Sequence, residues 1–197
     1  GLTIRVHPGV YVPRWQTEPL ARRAAALLPE DGIAVDLCTG SGAVAAVLRW
    51  ARPAARILAT DSDPAACRCA RENGVLEVFE GNLADPLPDV LSGSVDVVTA
   101  VAPYVPTASL QYLPRDTLAY EPLAALDGGP DGTDVVVGAV RAAAALLRAG
   151  GHLLLELGGA EDRAIATALE AAGFGAATAH LDEEGDLRWV ETVRASA

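Results

Sequence analysis

Short apolar segments alternate with helical segments along this 197-residue sequence, and few folds accommodate that pattern. Apolar runs predict strands at 33–38, 56–60, 75–79, 94–101 and 152–157. Predicted helices separate or flank them at 18–28, 43–50, from Pro64 onward, 133–149 and 161–172. Strands that alternate with helices in this way predict a mostly parallel sheet with helices packed on both faces.

The two ends of the chain and one central segment depart from that alternation. Residues 1–13 alternate weakly between apolar and polar, which predicts short strands around His7. Segments 175–181 and 187–194 predict two consecutive strands that form an antiparallel hairpin at one sheet edge. Residues 102–132 are rich in Pro, Gly and Asp and predict only a short helix, and so long an irregular stretch is usually functional. The expected sheet therefore has seven strands.

Composition excludes several classes of function. No apolar run approaches the roughly 20 residues that span a bilayer, so we expect no membrane partner. All 15 basic residues are Arg, which excludes Schiff-base and P-loop lysine chemistry. The net charge of -11 opposes binding to a phosphate backbone, so we do not expect DNA as a partner.

The three cysteines indicate a compartment and argue against a metal site. An odd number of cysteines forms no closed disulfide framework, which favours a reducing cytoplasm. Cys67 and Cys69 lie two residues apart on a predicted helix and therefore point to different faces. We expect core packing for both and no metal in this protein.

Asp36-Leu-Cys-Thr-Gly-Ser-Gly42 forms the first predicted strand–turn–helix unit. Its two glycines allow a tight turn that brings backbone N–H groups and a helix N-terminus close to a ligand. Asp61 ends the next strand, 19 positions after Gly42, where a carboxylate accepts the ribose hydroxyls of an adenosine. The pair of features predicts a nucleoside-containing ligand.

Two ligands compete for this site, NAD and S-adenosyl-L-methionine (SAM). Gly40-Ser-Gly-Ala-Val-Ala45 satisfies the G-x-G-x-x-A pattern of NAD-binding oxidoreductases. Asp36 before the turn instead completes the D-x-x-x-G-x-G pattern of SAM sites, and Asn82 after the third strand is placed to bind an adenine edge. The terminal strand pair also fits a methyltransferase sheet, so SAM is favoured.

Several motifs occur in the order found in HemK/PrmC-type protein-glutamine N5-methyltransferases, which are class I SAM enzymes with a Rossmann-like fold. Residues 12–18 resemble that family's (I/V)-P-R-x-x-T-E motif, and 36–42 resemble its glycine-turn motif. Glu121-Pro122 matches its E-P dipeptide, 126–132 its L-x-G-G-x-D-G segment, and 150–156 its G-G-x-L-x-x-E strand. The resemblance covers nearly the whole chain.

The resemblance implies a set of site residues. SAM, which is converted to S-adenosyl-L-homocysteine, is expected to contact residues at the carboxyl ends of four strands: Asp36, Cys38, Thr39, Gly40, Ser41, Gly42, Asp61, Asn82, Leu83 and Val101. The methyl acceptor is expected to lie against the segment that corresponds to the family's N-P-P-Y motif: Val101, Ala102, Pro103 and Tyr104. Contacts of Arg14 and Glu18 with the Glu121 segment are expected to shape the roof of the pocket. Tyr112 and Tyr120 are candidates to line a substrate cleft. Trp15 either lines the pocket or only packs against neighbouring side chains.

The sequence departs from the family where the acceptor binds. In N-P-P-Y enzymes the Asn side-chain oxygen and the next backbone carbonyl accept both hydrogens of a planar NH2 group. Val101 removes the first of these acceptors, whereas the carbonyl of Ala102 is retained. A buried donor left unpaired costs about 1–3 kcal/mol, so the acceptor site is expected to be altered while the methyl-donor site is kept.

We expect residues 1–30 to form a lead-in and 31–197 a SAM-binding domain, without the family's N-terminal helical domain. The expected activity is SAM-dependent methyl transfer to a release-factor-like protein. A small molecule or another protein side chain as acceptor stays open, as do a non-catalytic SAM-binding protein and an NAD-binding oxidoreductase.

Overall fold

A computed structural model describes residues 1–158 and 162–196. The strands are Ile33–Leu37 (β1), Arg56–Asp61 (β2), Glu77–Glu80 (β3), Val95–Ala100 (β4), Leu147–Glu156 (β5), Thr178–Leu181 (β6) and Leu187–Val193 (β7). The helices are Thr17–Leu27 (α1), Ala43–Ala51 (α2), Pro64–Glu72 (α3), Arg115–Tyr120 (α4), Asp134–Leu146 (α5) and Asp162–Ala171 (α6). Within the described residues, no helix is both long enough and apolar enough to cross a membrane.

All seven strands form one sheet, in the order β3-β2-β1-β4-β5-β7-β6. The first five strands pair in parallel, and β7 lies antiparallel between β5 and β6. The prediction of a mostly parallel sheet with an antiparallel terminal hairpin is confirmed. Because chain order reverses between β1 and β4, the carboxyl ends of these strands open the crevice in which α/β proteins bind ligands.

Apolar residues cover both faces of the sheet. Along β4, Val97 belongs to the core packed under α1, α2 and α3, whereas Val98 belongs to the core under α5 and α6. Leu154 and Leu155 on β5 divide in the same way. The central strands are therefore buried on both sides, as parallel strands generally are. Cys67 and Cys69 are buried, as the prediction of core packing requires.

The N-terminal segment differs from its prediction, because residues 1–13 form no strand. The backbone N–H of Arg5 donates to Asn73 Oδ1 at 2.9 Å, and Asn73 Nδ2 donates to the carbonyl of Arg5 at 2.7 Å. An Asn side chain at the end of α3 thus satisfies the backbone groups that a neighbouring strand would have bonded. The alternating pattern was too weak to compete with this local partner.

The starts of β3 and β5 also differ from their predictions. Strand β3 begins at Glu77, because the N–H of Val75 bonds to the carbonyl of Ala70 and extends the end of α3. Strand β5 begins at Leu147 where a helix through 149 was predicted, since Leu147 pairs with Val95. The predicted helix start at 161 lies outside the described residues. Segment 102–132 holds α4 and two 3-10 turns, Thr107–Tyr112 and Leu123–Ala125, where one short helix was predicted.

Gly42 fixes the distance between two helices. It precedes α2 with φ +79°, and a Cβ built there would lie 2.8 Å from Ala70 Cβ and 2.9 Å from Ala70 Cα. Both contacts are closer than van der Waals distance, and one is to backbone. Gly42 therefore allows α2 and α3 to approach each other beside the turn.

We predict that Gly42→Ala destabilises the fold by about 2–4 kcal/mol, because it adds an overlap in the core to the strain of a left-handed φ. Gly9→Ala is the matched control. Gly9 has the same φ of +79° and nothing within 4 Å of a Cβ, so only the backbone cost of about 1 kcal/mol applies. Urea denaturation measures both. Equal losses in the two variants would contradict the packing role.

Candidate active site

A cavity of about 660 Å³ opens at the carboxyl ends of β1, β2, β4 and β5. Its lining includes nearly all of the predicted site residues: Asp36, Cys38, Thr39, Gly40, Ser41, Asp61, Asn82, Leu83, Val101, Ala102, Pro103 and Tyr104. The structure thus brings together residues that lie almost 70 positions apart in sequence. Gly42 does not line the cavity, since it faces α3 as described above.

Asp36 is the buried carboxylate at the centre of this site, with 2% of its surface exposed. The hydroxyl of Thr39 donates to its Oδ2 at 2.6 Å, and the hydroxyl of Thr99 on β4 donates to its Oδ1 at 2.7 Å. Burial raises the pKa of Asp36 to about 6, although these two hydrogen bonds act to lower it. Asp36 therefore connects the glycine turn to the neighbouring strand.

Asp61 holds the glycine turn from the other side. Its Oδ2 accepts the backbone N–H of Gly40 at 2.8 Å, and its Oδ1 accepts the N–H of Asp63 at 2.9 Å. Burial raises the pKa of Asp61, while these backbone N–H groups act to lower it. The carboxylate consequently lies at the cavity wall in a fixed orientation.

Two non-glycine residues at the cavity have left-handed backbone. They are Cys38 at φ +54° and Leu83 at φ +48°, the residues that follow β1 and β3 closely. Such conformations cost of order 1–3 kcal/mol and concentrate at functional sites. Burial raises the pKa of the Cys38 thiol to about 12, which keeps this thiol neutral at the turn.

The turn itself offers space and an unsatisfied polar atom. Gly40 lines the cavity at φ +55°, and nothing lies within 4 Å of the position its Cβ would take. Ser41 Oγ is buried and has no hydrogen-bond partner in the structure. A buried hydroxyl without a partner beside an open turn fits a site that takes a polar ligand.

The loop that follows β4 is held by the glycine-rich segment. The N–H of Val105 donates to the carbonyl of Leu126 at 3.0 Å, and the N–H of Gly128 donates back to Val105 at 2.8 Å. A Cβ on Gly132 would collide with the carbonyl oxygen of Tyr104. A Cβ on Gly128 would lie 2.8 Å from the Cα of Tyr104. The L-x-G-G-x-D-G segment is therefore a glycine clamp that fixes the backbone of Tyr104.

The roof of the cavity partly matches its prediction. Arg14 Nη2 donates to both carboxylate oxygens of Glu121, at 2.7 and 2.8 Å, as predicted. Glu18 does not join them. It is exposed and pairs with Arg22 one turn along α1, because it lies on the outer face of that helix. Thr17 takes the inward position, and its hydroxyl donates to Glu156 Oε2 at 2.7 Å.

Sequence reasoning assigned no role to three charged side chains that line the cavity: Asp63 just before α3, Glu156 at the end of β5 and Arg188 on β7. Burial raises the pKa of Glu156, and the Thr17 hydroxyl and Arg188 act to lower it. Arg188 donates to Asp182 at 2.6 Å. The predicted C-terminal hairpin did not show which of its two strands pairs with β5. Without that pairing, the sequence could not place Arg188 near the site.

Three aromatic residues considered for the pocket lie outside its lining. Trp15, Tyr112 and Tyr120 are 72%, 81% and 73% exposed. Tyr120 lies instead at a shallow groove beside His7 and Gly9. Trp15 and Tyr120 are adjacent in sequence to the roof residues Arg14 and Glu121.

No protein-family model matches the chain. A release factor glutamine methyltransferase of Mycolicibacterium smegmatis is 39% identical over 203 residues, which cover 98% of this chain and 70% of that protein. A 4-amino-L-phenylalanine/4-methylamino-L-phenylalanine methyltransferase of Streptomyces pristinaespiralis is 38% identical over 161 residues, which cover 77% of this chain and 54% of that protein. The chain thus spans 70% of the length of the first of these relatives and 54% of the length of the second.

Solved structures agree with the fold. The Mtq2–Trm112 complex of E. cuniculi, responsible for methylation of the eRF1 translation termination factor, matches with a TM-score of 0.67 at 22% identity. The match covers 95% of this chain and 99% of that chain. The seven-stranded architecture is therefore that of SAM-dependent methyltransferases.

We predict that Asp36→Asn changes how stability depends on pH. The pKa of Asp36 in the fold, about 6, exceeds the value of about 3.9 in an unfolded chain. The contribution of this carboxyl is therefore complete below about pH 3.9 and is lost as pH rises through about 6. The free energy of unfolding of the native protein, relative to that of Asp36→Asn, should fall by about 2–3 kcal/mol between about pH 4 and pH 8.

Urea titrations at each pH measure that difference, and Asp127→Asn is the control of opposite sign. The hydroxyl of Thr107 and the N–H of Gly129 lower the pKa of Asp127. Its contribution is therefore present above the unfolded pKa and is lost as pH falls. If the two substitutions changed the pH dependence of the free energy of unfolding in the same direction, the burial of a charge at Asp36 would be contradicted.

Proposed function

The chain belongs to the release factor glutamine methyltransferase family, and from that premise we propose that it binds SAM in the cavity and transfers the methyl group to a nitrogen atom. The observation that carries the proposal is the single cavity that joins the glycine turn and Asp61 to the 101–104 loop. One end supplies a nucleoside site, and the other supplies backbone carbonyls and an aromatic ring.

Residues at the first end would hold the donor. Open space at Gly40 and the unpartnered hydroxyl of Ser41 fit a ligand that approaches the turn closely. Asp61 presents a carboxylate for ribose hydroxyls, while Asn82 and Leu83 line the wall where an adenine would lie. When bound, SAM supplies an electrophilic methyl group on a sulfonium. The chain's own contribution is to orient both reactants and exclude water.

We predict that Asp61→Ala weakens SAM binding about tenfold to a hundredfold, since a hydrogen bond to a charged group contributes about 1.5–3 kcal/mol. Asp85→Ala is the control, because it removes the same charge from an exposed residue outside the cavity. Isothermal calorimetry measures both affinities. Binding of NAD without binding of SAM would identify an oxidoreductase-type site and contradict the proposal.

At the other end of the cavity, we propose an acceptor site that differs from that of N-P-P-Y enzymes. Val101 presents no side-chain hydrogen-bond acceptor, whereas the carbonyl of Ala102 and the ring of Tyr104 are kept. An amide nitrogen delocalises its lone pair into the carbonyl, so it depends on two acceptors to orient it. Loss of one should slow glutamine methylation more than transfer to a more nucleophilic amine.

The partner that carries the acceptor is proposed to be a protein of release-factor type. Exposed Trp15, Tyr112 and Tyr120 support a macromolecular partner, because aromatic side chains are enriched at protein interfaces. A free aromatic amine is the second candidate, supported by the relative that methylates 4-amino-L-phenylalanine. A SAM-binding protein without catalysis is the outcome if neither acceptor is methylated.

We predict that the native protein methylates a Gly-Gly-Gln peptide weakly and that Val101→Asn raises this rate by about tenfold, the effect of one recovered hydrogen bond of about 1.4 kcal/mol. Transfer of radiolabelled methyl groups measures the rate, with Val105→Asn as a control for polarity in the same loop. SAM affinity should change little. Rapid peptide methylation by the native protein would show that Val101 is compatible with glutamine chemistry.

A further inference from the structure

Position 101 has a carboxylate beside it on the neighbouring strand. Strands β4 and β5 pair in parallel, with Ala100 opposite Leu155. Val101 follows Ala100 at the end of β4, and Glu156 follows Leu155 at the end of β5. Both line the cavity. Val101, whose side chain has no hydrogen-bond acceptor, therefore has as its neighbour Glu156, whose carboxylate has two acceptor oxygens.

The two side chains point to the same face of the sheet. Ala100 and Leu155 belong to the core under α5 and α6, and side chains alternate along a strand. Val101 packs against the opposite core, under α1. Glu156 reaches the same side, where the hydroxyl of Thr17 on α1 donates to its Oε2. The carboxylate and Val101 thus lie on the same face of the sheet.

Glu156 also differs from the other carboxylates of the cavity wall in the described residues, which are Asp36, Asp61 and Asp63. The carboxylate of Asp36 accepts hydrogen bonds from two threonine hydroxyls. The carboxylates of Asp61 and Asp63 accept hydrogen bonds from backbone N–H groups near the start of α3. Glu156 is 5% exposed and lies beside the acceptor loop instead. Its location fits an interaction with the acceptor rather than with the donor.

We propose that Glu156 Oε1 accepts a hydrogen bond from the N–H of the methyl acceptor and so replaces the acceptor that an asparagine at position 101 would provide. The carbonyl of Ala102 takes the second hydrogen. The acceptor class is then an uncharged nitrogen with two hydrogens, such as an aromatic amine or a carboxamide. Thr17 acts as a positioning residue, because it fixes the plane of the carboxylate. The proposal rests on the proposed function.

The experiment separates donor binding from acceptor binding. S-adenosyl-L-homocysteine is first titrated into each protein, and the complex is then titrated with 4-amino-L-phenylalanine and with the Gly-Gly-Gln peptide. Glu156→Gln should weaken binding of the acceptor probe at least tenfold and leave the affinity for S-adenosyl-L-homocysteine unchanged. This variant still offers an oxygen to the Thr17 hydroxyl, so folding should be preserved, as the thermal melting temperature will show.

Two further variants distinguish a contact from a general change. Thr17→Val should weaken binding of the same probe by a smaller factor, because it leaves the Glu156 carboxylate in place but no longer holds its orientation. Glu191→Gln is the matched control, since Glu191 lies on β7, pairs with Arg23 and does not line the cavity. In radiolabel assays, Val101→Asn should restore part of the peptide methylation that Glu156→Gln has lost.

Each outcome decides the proposal. Probe affinities within twofold for the native protein and Glu156→Gln, or no binding of either probe to a protein that binds S-adenosyl-L-homocysteine, would overturn the role of Glu156 and leave donor binding intact. Failure of the native protein to bind S-adenosyl-L-homocysteine would overturn the proposed function, and this inference with it.

Discussion

The carboxylate of Asp36 connects the parts of the structure that form the candidate site. It lies at the end of a buried strand, and it accepts hydroxyl hydrogens from the glycine turn and from β4. A buried charge is costly unless it is hydrogen-bonded, so Thr39 and Thr99 hold their positions as long as Asp36 is ionised. The Asp36 carboxylate thus fixes both the glycine turn, which faces the donor, and β4, which leads to the acceptor loop.

Similar tethers hold the remaining walls of the cavity. The glycine clamp surrounds the backbone of Tyr104, and its glycines allow contacts that any side chain would block. Thr17 and Arg14 connect the roof to Glu156 and Glu121, which are far away in sequence. The site is consequently pre-organised, which suits a reaction in which orientation contributes more than acid–base chemistry.

Much of the fold followed from local patterns. The alternation of strands and helices was sufficient because the apolar runs are short, and because Gly and Pro residues separate them. Positions 36–42 and 61 were recognisable since a glycine turn and a strand-end carboxylate have few alternative uses at that spacing. Patterns failed where a single distant partner decided the outcome, as Asn73 did for residues 1–13. The inward orientation of Thr17 instead of Glu18 depended on the rotation of α1, which periodicity did not fix.

The sequence by itself determined the alternation of strands and helices, the glycine turn and the chemical change at position 101, because these depend on residue type and on spacing along the chain. Only the tertiary structure decided that Glu156 lies beside Val101 and that Arg188 reaches the same cavity. Both facts depend on strand order and register, and β7 lies between β5 and β6 although it follows them in sequence. Strand pairing is a choice among distant segments, so it depends on how the whole core packs.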